Sequence, residues 1–517
     1  VLLGSFFTRI PPLSEKFFAF FLCFRNINTD LRNFRMSFST LSAATCFIDL
    51  ATFSEPEGFL YGGPDAITWF VAAVQKANWF SFIPIQLRMN GVVDFGQKNI
   101  SASVNRSGDY VLNTWFRAQI PQLELVQPGG VNGIFLDSSI RWTRLLMHNL
   151  MERVQICFNE LIVQEFGSHW LDFNFQFRCW GSKRIGYRNM VGDIAAMTTP
   201  VPPGTPLGTG GFFSVILPFW FGEDSGIALP VAALPFNDIK INFTLRRWEE
   251  LLVVYPGTLA TGGPSGPGTG VAATVANVFV FGSTSQKPAL VDPGTYAHYA
   301  VVHNDERVKM GDAPRDMLIH QVQDTQNAPF KDITSRTAFD IRLSHSIVLF
   351  CFAAQNISLL SVNSGQGGGE WSNYTTEFNY AGLDPIAYSV LVYENTVRLA
   401  GGSDYYSLIF PDLFSDAVPD ETGYHMWSYA LLPWNPLKPS GSTNYSKLAN
   451  VSLAHDMSPA AVASVSSPPL DQNGNVLVYP DLSGEEVDFP QKYRHIFIAR
   501  NWNIARVANG SLGHPTL

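Results

Sequence analysis

Residues 217–245 read LPFWFGEDSGIALPVAALPFNDIKINFTL, and the two parts of this stretch behave differently. In the first part Pro218, Pro230 and Pro235, with Gly222 and Gly226, exclude a helix interior, because proline lacks the amide donor and glycine is costly to order. In the second part Ile239, Ile241, Phe243 and Leu245 alternate with Lys240, Asn242 and Thr244, the period of a half-buried strand. An aromatic, Pro-rich loop that feeds a strand points to an all-β chain with long loops. Working outward, residues 110–120 (YVLNTWFRAQI) and 171–177 (LDFNFQF) alternate in the same way and are expected to be strands. Residues 346–352 form a short apolar run rich in β-branched and aromatic side chains, which predicts a strand buried on both faces. Residues 144–160 could hold one helix, but Val154, Ile156 and Phe158 alternate, so a strand is expected there. Turn residues punctuate the chain at Gly62-Gly63-Pro64, Ser107-Gly108-Asp109, Pro128-Gly129-Gly130 and Asn473-Gly474.

Composition agrees. The chain has 517 residues, 13% of them aromatic and only 15% charged, with 42 Gly and 33 Pro. That is too apolar for a disordered chain and too rich in Gly and Pro for a helical bundle. The longest clean apolar runs, 17–24 and 347–354, have eight residues each, against the ~20 of a spanning helix. The run after Arg9 and Lys16 is a weak leader signal without a small-residue cleavage pattern. The first 35 residues hold eight Phe, five basic and two acidic residues; they read as an extension outside the fold, with Met36 the natural start. A net charge of −9 argues against a nucleic-acid coat, which needs a basic footprint. Cys23, Cys46, Cys157, Cys179 and Cys351 show neither disulfide nor zinc spacing and are expected as buried thiols.

Residues 256–270 (PGTLATGGPSGPGTG) carry no charge and almost no bulky side chain, a composition that cannot build a core. They divide the chain into two halves, each long enough for a large sandwich. The expected organisation is an extension over 1–40, a first sandwich over 41–250, a linker or loop over 251–282 and a second sandwich over 283–517. Residues 361–369 (SVNSGQGGG) read as a loop tip in the second half. No short repeat occurs, so any duplication lies at the level of the whole half.

No catalytic, cofactor-binding or metal-binding residue stands out, and neither an enzyme nor a cofactor is expected. The chain lacks the GxSxG, HExxH, GxxxxGK[ST] and GxGxxG patterns. The ten His are scattered. His303, beside Asp305, Glu306 and Arg307, reads as part of a solvated loop or an ion-pair network. Glu223-Asp224, Glu249-Glu250 and Glu485-Glu486 raise the glycosidase question, but neighbours on a strand point to opposite faces. The sequons at Asn99, Asn105, Asn242, Asn356, Asn373, Asn444, Asn450 and Asn509 read as chance occurrences.

Several segments combine rare residues in a fixed order: 47–70 (FIDLATFSEPEGFLYGGPDAITWF), 105–121 (NRSGDYVLNTWFRAQIP), 141–150 (RWTRLLMHNL), 186–192 (GYRNMVG), 217–245, 304–311 (NDERVKMG), 429–448 (YALLPWNPLKPSGSTNYSKL) and 501–513 (NWNIARVANGSLG). The set resembles the major capsid proteins of nucleocytoplasmic large DNA viruses over about residues 47–517. The match is strongest at 217–243, 431–446 and 501–513. Trp434-Asn435 departs from the acidic residues expected before the Pro-Ser-Gly turn. The resemblance implies two tandem eight-stranded antiparallel jelly rolls, with three chains forming a pseudo-hexagonal capsomer of an icosahedral shell. It places the chain in the virion, assembled in the infected cell. Its implied partners are its own copies, then minor capsid and penton proteins, with an inner membrane as a neighbour that is not spanned and no direct nucleic acid. Phe219, Trp220 and Phe221 are expected as packing anchors, in the core or at the trimer seam. The rival from another class is a secreted carbohydrate-binding or hydrolytic β-sandwich.

Overall fold

The computed structural model describes residues 43–126, 138–255, 275–358, 369–466 and 491–513 and the backbone of 479–480 and 486–487, apart from positions 65, 73, 75, 313, 326–327, 331–332, 378–379 and 381. The expectations for 1–40, 256–270, the turns at 128–130 and 473–474 and nearly all of the 361–369 loop lie outside the described residues. The chain divides into Val1–Ala77 and Asn78–Leu517. The first unit contains α1 (Ala43–Ala51) and α2 (Glu55–Tyr61). The Ser54 N–H donates to the Glu57 carboxylate at 3.1 Å and closes the first turn of α2.

Within Asn78–Leu517, the first sandwich is built from β1 (Phe80–Asn90), β2 (Ile100–Ser103), β3 (Tyr110–Gln119), β4 (Met151–Phe158), β5 (Leu161–Phe166), β6 (Phe212–Leu217), β7 (Ile239–Leu245) and β8 (Val291–Val302). Antiparallel pairing gives two sheets, β1-β8-β3-β6 and β2-β7-β4-β5. The long β1 joins them, since its N-terminal part pairs with β8 and its last three residues pair with β2.

The second sandwich is built from β9 (Arg315–Asp324), β10 (Thr337–Asp340), β11 (Ser346–Asn356), β12 (Ile386–Tyr393), β13 (Thr396–Gly402), β14 (His425–Ser428), β15 (Val451–Met457) and β16 (Tyr493–Ala508). Its sheets run β9-β16-β11-β14 and β10-β15-β12-β13. Counted from its own first strand, each half reads 1-8-3-6 against 2-7-4-5. Each is a jelly roll, two sheets that close over one core.

Strand β7 alternates buried and half-buried residues from end to end, and β11 is buried from Ile347 to Asn356, as the sequence predicts. Four expectations change. Residues 171–177 are helical, within α4 (Ser168–Arg178; α3 is Leu146–Leu150, α5 Lys183–Val191 and α6 Asn304–Asp312). Helix α4 is buried on nearly every side, Asp172 and Gln176 included, so it has no polar face to reveal a helical period. Residues 144–160 hold the five-residue α3 and then β4, and the acidic cluster after His303 is α6 rather than a loop, while the ion-pair alternative holds for Arg307, which pairs with Asp109. Strand β8 pairs with β1 and β3, so the Gly/Pro-rich stretch falls between the seventh and eighth strands of one sandwich. The boundary drawn at 282/283 therefore moves beyond Val302. Of the thiols, Cys157 and Cys351 are buried, Cys179 is half-buried and Cys46 is exposed.

Both faces of β11 are buried because each meets a different core. Ile347, Phe350 and Phe352 pack inside the second sandwich. Leu349, Cys351 and Ala353 face the other way, into a large cluster shared with the first sandwich. Strand β16 divides in the same manner, with Phe497 and Ala499 inward and Ile496 and Ile498 outward. The outer face of the β9-β16-β11-β14 sheet is thus a second core, between the two jelly rolls. Phe219, Trp220 and Phe221 are at most 1% exposed and belong to this cluster, so they are core anchors.

Inside the second sandwich, His455 and His495 lie with ring centroids 4.9 Å apart. The surrounding rings are Phe330, Phe339 and Phe352; His455 Nδ1 lies 2.8 Å from the Ser389 hydroxyl. Burial holds His495 down at about 3, and burial with the neighbouring His495 and His425 holds His455 well below 6.5. Both stay neutral in the fold, whereas an unfolded chain protonates them below an ordinary histidine pKa of about 6.5. Their contribution is complete above that value and declines as the pH falls toward the folded pKa. At pH 5 the loss from His495 alone is about 2 kcal/mol. Urea unfolding at pH 7 and pH 5 checks this; His495→Phe is expected to shrink the difference between the two midpoints.

Candidate functional site: the seam between the sandwiches

The loop after β6 carries Glu223 onto the outer face of the second sandwich. There its carboxylate forms an ion pair with Arg500 of β16 and lies 3.3 Å from Nδ1 of His320 on β9. Arg500 is 1% exposed and Glu223 8%. Against the cost of burial, the Arg500 guanidinium and the His320 hydrogen bond hold the Glu223 carboxyl at about 2. Burial lowers His320 to about 4, so at neutral pH the Glu223 carboxylate is met by the Arg500 guanidinium and, at 3.8 Å, by that of Arg178. The rings of Trp502 and His320 are 3.8 Å apart. Trp434 sits above, its ring 6.3 Å from Trp170 and beneath the Arg178 and Arg500 guanidiniums. Its indole N–H donates to the Ser415 hydroxyl at 3.0 Å. The position that departs from the resembled pattern is therefore a buried contact of the seam.

A second polar cluster ties the 141–150 and 186–192 segments to the second half. Arg141 pairs with Glu370, both nearly inaccessible. Arg144 donates to both Asp193 carboxylate oxygens and bridges to Glu421, which Arg188 also reaches at 2.8 Å. Asn149 donates to the Ser372 hydroxyl at 2.8 Å. Tyr374 donates to Asp172 of α4 at 3.2 Å, and Asp172 lies 2.8 Å from His148 of α3. The Arg246 guanidinium stacks 3.9 Å from the Trp371 ring.

The terminal segment closes the seam through backbone geometry. Asn509 and Gly510 both have positive φ, 51° and 79°, as a tight hairpin requires, and the Gly510 carbonyl accepts from Phe236 N–H at 3.1 Å. Gly441, the glycine of the Pro-Ser-Gly turn, has φ 149°, and a Cβ there would overlap the Tyr429 carbonyl oxygen. The quoted segments 141–150, 186–192, 217–245, 429–448 and 501–513 thus enter one contact between the halves. The 304–311 segment pairs within the first sandwich, where Arg307 of α6 donates to both carboxylate oxygens of Asp109 at 2.8 Å.

This arrangement joins the two sandwiches. Glu223 is engaged by Arg500, Asp224 accepts from Gly226 N–H at 2.7 Å, and Glu250 pairs with Arg247. Glu485-Glu486 lies outside the described side chains. His303 is 64% exposed. Among the described residues no group of three His, Cys, Asp or Glu could hold a metal ion, and no helix is long and apolar enough to cross a membrane. Asn356 and Asn373 are buried and hydrogen-bonded, so these two sequons cannot carry a glycan in the folded protein.

Among the described residues of Asn78–Leu517, each sandwich carries an open apolar surface. On the outer face of β1-β8-β3-β6, Trp115 stacks on Tyr296 at 5.6 Å beside Phe82, Phe212 and Ile216, which are 63%, 45% and 46% exposed. On the second sandwich, the exposed Leu413, Leu431, Leu432 and Leu437 line a cleft of about 510 Å³ together with Asp224 and Asp416.

Two jelly rolls of one topology, welded through a shared core and bare on an apolar flank, define a shell-forming double jelly-roll protein. Comparison with known proteins gives the family. Residues 68–282 match the model for the major capsid protein N-terminus, and residues 306–513 match that for the large eukaryotic DNA virus major capsid protein. The chain is 40% identical over 499 residues to the major capsid protein of Costelytra zealandica iridescent virus, covering 93% of this chain and 100% of that protein. It is 38% identical to that of Lymphocystis disease virus 1, covering 92% and 98%. In fold it matches a chain of the PBCV-1 virus capsid (TM-score 0.59, 18% identity, 87% of this chain and 100% of that one). It also matches the Faustovirus major capsid protein (TM-score 0.60, 13% identity, 92% and 98%). The chain belongs to the major capsid proteins of large eukaryotic DNA viruses, and its place is the virion capsid. These findings support the capsid reading and give no support to the carbohydrate-directed alternative.

Proposed function

We propose that three copies of this chain close into one capsomer and that capsomers tile the flat facets of an icosahedral shell. The strand order repeated in both halves carries this reading. Two equivalent sandwiches per chain give a three-fold assembly six similar lobes, and a six-lobed tile packs in a hexagonal lattice. The chain acts through binding surfaces alone, without catalysis. Minor capsid and penton proteins are its further partners, and an inner membrane is a neighbour that this chain does not span. The low charge and the open apolar flanks suit an obligate oligomer, which hides surface that a monomer would expose. Light scattering on the purified full chain tests the reading. The expected mass is about 172 kDa, three times the 57.2 kDa of one chain; a monomer at micromolar concentration would contradict it.

A further inference from the structure

The two jelly rolls have equivalent sheets but unequal surroundings. In the second sandwich, the outer face of β9-β16-β11-β14 is buried, with Ile319, Leu349, Cys351 and Ile498 at most 2% exposed. Two connections of the first sandwich cover it. The one between its fifth and sixth strands contains α4, and the one between its sixth and seventh contains Trp220 and Glu223. In the first sandwich, the equivalent face β1-β8-β3-β6 is the open surface of Phe82, Trp115, Tyr296, Ile216 and Phe212. The second sandwich's equivalent connections span residues 403–424 and 429–450. They present the exposed Leu413, Leu431, Leu432 and Leu437. One chain thus holds one completed contact and the two unmatched halves of another.

We propose that residues 403–442 of one copy dock on the outer β1-β8-β3-β6 face of the next copy, repeating between chains the contact that the seam makes within one. The proposal rests on the trimeric reading and assigns its interface. Charge favours the pairing. Within the chain, an acid on the loop (Glu223) meets a cation on the sheet face (Arg500). On the open face Arg117 lies 3.7 Å above the Phe212 ring, with Arg88 and His298 nearby on β1 and β8 and Asp292 at the end of β8. On the docking side, Asp412 and Asp416 flank the leucines, with Lys438 as the cation at the cleft; Asp416 is only 3.9 Å from Arg178 and 53% exposed. A contact between unlike surfaces is head to tail and forms a closed ring when its rotation closes. Six equivalent contacts, alternating within and between chains, close at three chains.

Site-specific photo-crosslinking on the full chain tests this. A benzoylphenylalanine replaces the exposed Ile216, the sample is irradiated, and its mass in solution and the crosslinked peptides are both determined. The expected result is a trimer whose crosslinks join position 216 to peptides within 403–442 of another chain, with no linked species beyond three chains. A trimer crosslinked elsewhere, to position 216 of another copy or not at all, overturns the docking assignment and leaves the trimer standing. A mass other than three chains overturns the trimeric reading and this assignment with it.

Discussion

Glu223→Ala is expected to destabilise the protein by about 3–5 kcal/mol, the cost of leaving one partner of a buried ion pair uncompensated. The residue left behind is Arg500, 1% exposed and enclosed by Trp434, His320 and the β9-β16 sheet. Burial already lowers the Arg500 guanidinium to about 10 with Glu223 in place. Without that carboxylate, the side chain must be expelled or the seam must admit water. Urea unfolding measures the loss. A double variant, Glu223→Leu with Arg500→Met, separates the pair's specific role from the packing of its side chains. Apolar replacement of a whole buried pair is close to neutral, so the double variant should lie nearer the native protein than Glu223→Ala does. A native-like midpoint for Glu223→Ala would show that the pair is not sealed between the sandwiches.

Trp220→Ala is expected to cost about 3–5 kcal/mol, the range for removing a large buried aromatic side chain. Trp220 is 1% exposed. Its ring packs edge-on to Phe221 at 4.9 Å and near Phe158 at 6.0 Å, and its backbone N–H donates to the Gln164 side-chain oxygen at 3.0 Å. The last contact fixes the loop against β5, so the cavity left by the indole would also loosen the segment that delivers Glu223. Lower soluble yield and an earlier urea midpoint are the readouts. A loss below about 1 kcal/mol would mean that the site collapses around the gap and that Trp220 is not an anchor.

The fold was legible wherever a strand has one wet face or stands alone in the core. Residues 239–245 declare themselves by alternation. The run at 346–352 declares burial on both sides, though not that its second face meets another sandwich. Helix α4 was illegible because a helix buried all round shows no period, and its Leu171, Phe173, Phe175 and Phe177 imitate a strand. Strand β8 was assigned to the wrong half because the Gly/Pro-rich stretch before it has the composition of a domain boundary, while pairing with β1 and β3 is a long-range fact. The seam was hidden for the same reason. Glu223 and Arg500 are 277 positions apart, and nothing local to either marks the other. The order of the quoted segments was legible; that most of them converge on one contact was not.

Electron microscopy of the purified assembly tests the central claim most directly, since it counts lobes and chains together. Class averages viewed down the symmetry axis are expected to show a closed ring of six lobes with three-fold symmetry, two lobes per chain. A two-lobed particle, or a ring closed by any number of chains other than three, would contradict the account.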